Sequence, residues 1–260
     1  TGAPADPQAG NIAGGRRDVL RSASFNTGTA DMFAVDSGTW TVASGRYQVA
    51  PESLGGDALA VFNVDKYVPS YFEMTATIRA VKPIAGYSAN AYLVFDYQSA
   101  TDFKFAGINI STSKLEIGYH DATGWHVVVQ KPYTGALKAD TDYNVLLALN
   151  GTTATLVVEN KVALTHTFAT RMDEDGFEYF LNEGMVGIGA NNAKGQIDNV
   201  VVQRIAPETT LESTVQFSGD LADQNVFNQL FQAPAGGNWQ VTDGRYIGEN
   251  SVDLVDLSIN

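Results

Sequence analysis

From about Leu20 onward the chain runs in short stretches where apolar and polar residues alternate with period two, rich in Val, Ile, Thr, Tyr and Phe and punctuated by Gly, Asn and Asp. Such alternation places one set of side chains on each face of a pleated strand. It predicts strands over residues 40–43, 46–50, 71–80, 91–98, 103–110, 114–120, 125–130, 143–149, 154–159, 162–168, 185–190 and 197–205. No stretch sustains a 3.6-residue period, so no long helix is expected. Ser44-Gly45, Asn150-Gly151 and Asn160-Lys161 carry turn chemistry between strands, because Asn and Gly tolerate positive φ at little cost, and they read as hairpins. Residues 143–168 then form a three-stranded meander. So many strands exceed one sheet, and the expected fold class is all-β, a two-sheet antiparallel β-sandwich plus a partial β repeat at the C-terminus.

One internal repeat supports the last clause. Trp40-Thr-Val-Ala-Ser-Gly-Arg-Tyr47 recurs as Trp239-Gln-Val-Thr-Asp-Gly-Arg-Tyr246. Each is preceded by a glycine two residues upstream (Gly38, Gly237) and, further back, by Phe-x4-Ala-Asp (Phe25 to Asp31, Phe217 to Asp223). The expected division is a flexible linker over 1–19, a sandwich over 20–206, and a linker with the first strands of a second repeat over 207–260. A few strands alone leave apolar faces and edge hydrogen bonds to satisfy. Trp239, Val241, Tyr246, Val252 and Leu254 are therefore candidate assembly residues, joining neighbouring copies or other modules by strand addition. The plainer reading is a fragment of a longer polypeptide.

Composition narrows the chemistry. The chain has 260 residues with 44% hydrophobic content, enough for one full core. It has no cysteine, which removes disulfides, thiolate metal sites and cysteine nucleophiles. With 16 basic against 29 acidic residues, a net charge of -13, nucleic acid and anionic membrane are poor partners. No apolar run approaches the roughly 20 residues of a spanning helix. The opening Thr1-Gly-Ala-Pro stretch is too poor in large apolar residues to pack and reads as a linker cut from a longer precursor.

The runs Tyr71-Phe-Glu-Met-Thr-Ala-Thr-Ile78, Ala91-Tyr-Leu-Val-Phe-Asp-Tyr97, Thr101-Asp-Phe-Lys-Phe-Ala-Gly-Ile108, Asp142-Tyr-Asn-Val-Leu-Leu147, Asn150-Gly-Thr-Thr-Ala-Thr-Leu156 and Gly195-Gln-Ile-Asp-Asn-Val200 resemble the concanavalin A-like, laminin-G-like modules of large bacterial cell-surface, adhesin-type proteins. The resemblance covers about residues 20–205. It implies a jelly roll of two antiparallel sheets, often calcium-stabilised and often placed among other repeats in adhesins; the chain is expected to be secreted or displayed at the cell surface and, for want of a catalytic motif, to be no enzyme. The expected role is structural or adhesive, with carbohydrate binding on a concave sheet face as the alternative.

Alternation sorts the strands that would carry a glycan. If Leu93, Phe95, Phe103, Phe105, Leu115, Ile117, Val127 and Val129 face the core, then Tyr92, Asp96, Lys104, Glu116, His120, His126 and Val128 share the opposite face. A stacking ring with planar polar groups suits a sugar, and a merely solvated face is the plainer alternative. In the resembled family a cation ties the first strand to the last, and here Asn26, Asp31 and Asp198 are the candidate calcium ligands, against simple turn capping. Asp173-Glu-Asp-Gly176 begins like a calcium loop but lacks the later ligands. Asp173-x-Asp175-x-x-Glu178 is a poor match to the paired carboxylates of a sandwich glycosidase, because Gly176 breaks the strand. No Gly-x-Ser-x-Gly elbow or phosphate-binding glycine loop occurs.

Overall fold

The structure is a computed structural model and describes residues 12–64 and 68–205, together with the strands of residues 238–242 and 245–249. The chain divides into two compact units, Thr1–Pro207 and Glu208–Asn260. The first unit is all-β: β1 (Arg17–Ala23), β2 (Ala34–Ser37), β3 (Thr39–Ala43), β4 (Arg46–Ala50), β5 (Asp57–Phe62), β6 (Tyr71–Ala80), β7 (Asn90–Ser99), β8 (Asp102–Asn109), β9 (Lys114–Asp121), β10 (Gly124–Pro132), β11 (Tyr143–Asn150), β12 (Thr153–Val158), β13 (Val162–Thr167), β14 (Arg171–Met172), β15 (Glu178–Tyr179), β16 (Met185–Asn191) and β17 (Gly195–Ile205).

Two antiparallel sheets form the sandwich. One has the order β13-β12-β11-β6-β17-β4-β3 with β1 also on β17, and the other runs β10-β9-β8-β7-β16-β5-β2. Between them lies the main core, with Phe72, Met74 and Ile78 of β6, Leu147 and Leu149 of β11, and Leu156 of β12 on one side. Leu93 and Phe95 of β7, Ile108 of β8, Leu115 and Ile117 of β9, and Ile188 of β16 face them from the other. These side chains follow the strands' two-residue period, which is why the pattern predicts them. The hairpins close where turn residues were expected, with Ser44 and Gly45 both at positive φ and Gly151 likewise. Glu159 and Asn160 carry the third turn, one residue earlier than Asn160-Lys161.

Five strands of the first unit lie outside the expected set, the two-residue β14 and β15 among them. β5 reads Asp-Ala-Leu-Ala-Val-Phe and is buried at every position after the first, so it shows no alternation. β1 and β2 are mostly polar or exposed. In the second unit, β18 (Asn238–Thr242) pairs with β19 (Arg245–Glu249). Val241 pairs with Tyr246 and Trp239 with Gly248, the register in which Val42 pairs with Tyr47 and Trp40 with Val49. The sequence repeat is thus a repeat of hairpin geometry. Val252 and Leu254 lie outside the described residues.

Candidate functional site

The seven-stranded sheet buries apolar residues on both faces. Registration settles which side chains share a face: Phe103 stands opposite His120, and His120 opposite Trp125. Tyr92 stands opposite Gly107, and Gly107 opposite Glu116. All of these point away from the other sheet, with Leu59 and Val61 of β5, Val94, Tyr97 and Phe105, in a second buried cluster against which Trp125 and Met185 pack. Two expectations are corrected here. Phe103 and Phe105 face outward, while Lys104, Ala106 and Ile108 of β8 turn inward. Val127, opposite Gly118, also faces outward, and the bulge between Val127 and Val129 takes up Val128. The physical reason is that apolarity marks the core face only when the other face is wet, and β8 is buried along most of its length on both sides.

Tyr92, Glu116 and His120 therefore sit on the outer face as expected from alternation, and Trp125 and Asp57 join them. The Tyr92 hydroxyl donates to Glu116 Oε2 at 2.7 Å. Glu116 also accepts from Asn109 Nδ2 at 3.1 Å and from Thr112 Oγ1 at 3.4 Å. Burial, and then the adjacent Glu116 charge, push the Tyr92 phenol well above its usual range. The Trp125 indole N–H donates to Asp57 Oδ1 at 2.7 Å, and His120 Nε2 lies 3.5 Å from Asp57 Oδ2. His120 stacks on Phe103 with ring centroids 4.7 Å apart, and Trp125 meets Phe105 edge-on at 4.7 Å. Burial lowers the His120 imidazole below its ordinary value, outweighing Asp57. Its Nδ1 is buried with no hydrogen-bond partner among the described residues.

The Trp125–Asp57 bond also reports the shape of the sheet. β10 and β5 are separated by four strands in the sheet order. Laid flat, five strand spacings of ~4.8 Å would put them on the order of 24 Å apart, far beyond the reach of the two side chains. The sheet must therefore curl toward this face. Glycines permit it: a Cβ on Gly118 would strike the His126 carbonyl and the Phe105 ring, and one on Gly107 would strike the Ala91 carbonyl and Tyr92. Tyr92, Val94, Phe103 and Phe105 form the floor of the resulting groove, and Trp125 lies across it.

The remaining candidates lie elsewhere. Asp96 occupies a bulge of β7 at φ 48°, and its carboxylate turns inward. It pairs with Lys104 and, at 2.9 Å, with Arg171 of β14, which binds Asp102 through both terminal nitrogens at 2.6 and 2.9 Å. Burial lowers the Lys104 ammonium, against the pull of Asp96. Hydrogen bonds to Asp102 raise the Arg171 guanidinium further. This network ties the β14–β15 hairpin to β7 and β8. His126 stands opposite Tyr119, on the face away from His120, and its Nε2 lies 3.0 Å from Asp121. Asp96, Lys104 and His126 are thus removed from the face that holds Tyr92, Glu116 and His120.

The calcium candidates come from two parts of the chain. Asp198 sits at a bulge of β17 and its Oδ1 accepts the Asn199 N–H at 2.7 Å, while Asn26 and Asp31 lie in the connection between β1 and β2. Among the described residues no three His, Asp or Glu side chains come together to hold a metal. Asp173 is committed to its own turn, accepting the N–H groups of Asp175 and Phe177 and the Tyr179 hydroxyl, in an exposed hairpin loop.

No protein-family model matches the chain, and no curated protein sequence matches it. Solved structures do. The carbohydrate binding module CBM66 from Bacillus subtilis superposes with a TM-score of 0.54 at 14% identity, covering 66% of this chain and 96% of that one. The exoplasmic/lumenal domain of VIP36, in a form bound to Ca2+ and Man3GlcNAc, gives 0.51 at 9% identity, covering 75% and 92%. A GH43 protein, BlXynB of Bacillus licheniformis, gives 0.50 at 14% identity over 71% of this chain and 39% of its own. At these identities the likeness establishes the fold, a concanavalin-like β-sandwich.

Proposed function

We propose that this protein is a non-catalytic, extracellular carbohydrate-binding module whose ligand is a neutral or amino-sugar glycan held on the outer face of the seven-stranded sheet. The observation that carries the reading is the convergence there of the half-buried Trp125 indole, the Asp57 carboxylate, the His120 imidazole and the Tyr92–Glu116 pair. An aromatic edge supplies a surface for the apolar side of a sugar ring, and the carboxylate and imidazole supply planar acceptors and donors for its hydroxyls. Charge favours the ligand class: Asp57 bonds the indole and Glu116 bonds Tyr92 on the same face, while the cations Lys104 and Arg171 pair with Asp96. Lys114, at the start of β9, is spent on Gln130 at 3.1 Å.

Solved neighbours named as a carbohydrate binding module and a carbohydrate recognition domain support the binding role, and an exoplasmic domain among them supports a place outside the cytosol. The non-catalytic part rests on the carboxylates. Both are spent on hydrogen bonds within the fold, Glu116 accepting from three donors and Asp57 from the Trp125 indole. For the adhesive role, the support is the repeated hairpin.

The test is an array of neutral, amino and acidic oligosaccharides, followed by titration of the best ligand. Binding to neutral or amino sugars is expected, with Trp125→Ala weakening it about tenfold, the equivalent of ~1.4 kcal/mol. Silence across the array, or equal affinity of the Trp125→Ala chain, overturns the reading.

A further inference from the structure

We infer that the Trp125–Asp57 hydrogen bond is a latch that holds the curled sheet closed over its outer groove, and that Asp57 is the residue positioning the indole. The inference deepens the proposed glycan reading but stands on geometry of its own. β10 is an edge strand whose partner in the sheet is β9, and four of its nine positions are exposed. Nothing in sheet pairing draws its Trp125 end toward β5. The 2.7 Å indole–carboxylate bond spans that gap, with His120 3.5 Å from the same carboxylate on its other oxygen.

The floor beneath consists of rings that meet Trp125 at centroid distances of 4.7 Å for Phe105, 5.3 Å for Phe103 and 5.4 Å for Tyr92. A sugar hydroxyl is a natural replacement donor for the Asp57 acceptor, and the indole it releases is then free to stack on the sugar ring. Closure therefore keeps an aromatic surface out of water until a group of matching chemistry competes for Asp57. Lys131, further along β10, donates to the Ala163 carbonyl at 3.1 Å, which ties the far part of the strand to the other sheet.

The test needs no glycan, so the latch and the binding reading fail separately. The full chain carrying Trp40→Phe and Trp239→Phe keeps Trp125 as its sole tryptophan, and acrylamide quenching of its fluorescence reports access to the groove. Asp57→Ala removes the acceptor and should raise the open population about fivefold, the change expected from losing one hydrogen bond of ordinary net strength, with a matching rise in quenching. Asp57→Asn keeps a carbonyl oxygen for the indole and should quench like the parent. Unchanged quenching in Asp57→Ala, or equal opening in both variants, overturns the latch. Should Asp57→Ala fold poorly, Trp125→Phe keeps the ring and deletes the N–H. Amide exchange across β9 and β10 must then rise several-fold against the parent, and unaltered exchange overturns the latch equally.

Discussion

At the scale of single residues, Asp96 shows how a polar side chain can be legible as important and misread in role. Its place among apolar neighbours marks it as constrained, but alternation puts it on the outer face, and only the bulge at φ 48° turns it inward. There it balances Lys104, whose side chain is 9% exposed, and part of Arg171. Asp96→Asn tolerates the left-handed backbone and keeps an acceptor, so it isolates the loss of charge. Leaving a buried ammonium short of its counter-ion should lower the unfolding free energy by about 3 kcal/mol, measured by urea denaturation. A loss under about 1 kcal/mol would mean that Arg171 and Asp102 already compensate, as a surface pair would. Asp57, by contrast, is not legible in the sequence, because its strand is buried on both faces and shows no alternation.

The elements themselves were more legible than their faces. Turn residues at 44–45 and 150–151 fixed hairpins, and apolar alternation found β6, β7, β9 and β11. The alternation in β8 could not say which set was inward, since Phe103 and Phe105 fill one buried face while Ala106 and Ile108 fill the other. A signal for the curl was present in the glycines: Gly107, Gly118, Gly187 and Gly189 all fall on the outer face, where a side chain would meet backbone or packed rings. Gly118 is the sharpest case, because its missing Cβ makes room for both the His126 carbonyl and Phe105. Gly118→Ala should therefore force β9 and β10 apart and destabilise by roughly 2 kcal/mol, the usual penalty of overpacking. A thermal melt at the parental temperature would mean that the sheet absorbs the methyl without uncurling.

At the scale of the whole molecule, the two apolar clusters on either face of one sheet make buried ionisable groups part of the stability, and their shifts set its pH dependence. His120 and His166 are both lowered by burial. Below about pH 6.5 the unfolded chain takes up protons that the folded imidazoles resist, so this contribution is complete above that value and is lost as pH falls through the lowered folded values. Glu73 behaves as a second stage. Burial acts to raise it, but hydrogen bonds from Arg17, Tyr71 and Gln203, with the Arg17 charge, bring it below 4.5. Its contribution is complete above about pH 4.5 and is lost only as pH drops through the lowered value. Urea midpoints should therefore fall in two steps on acidification. A His120→Gln, His166→Gln chain should lose the first step and keep the second, and Glu73→Gln should do the reverse. A midpoint that stays flat from pH 7.5 to 5 in the parent would show that the imidazoles protonate freely in the folded state, and with it that the groove beside Trp125 is open to water.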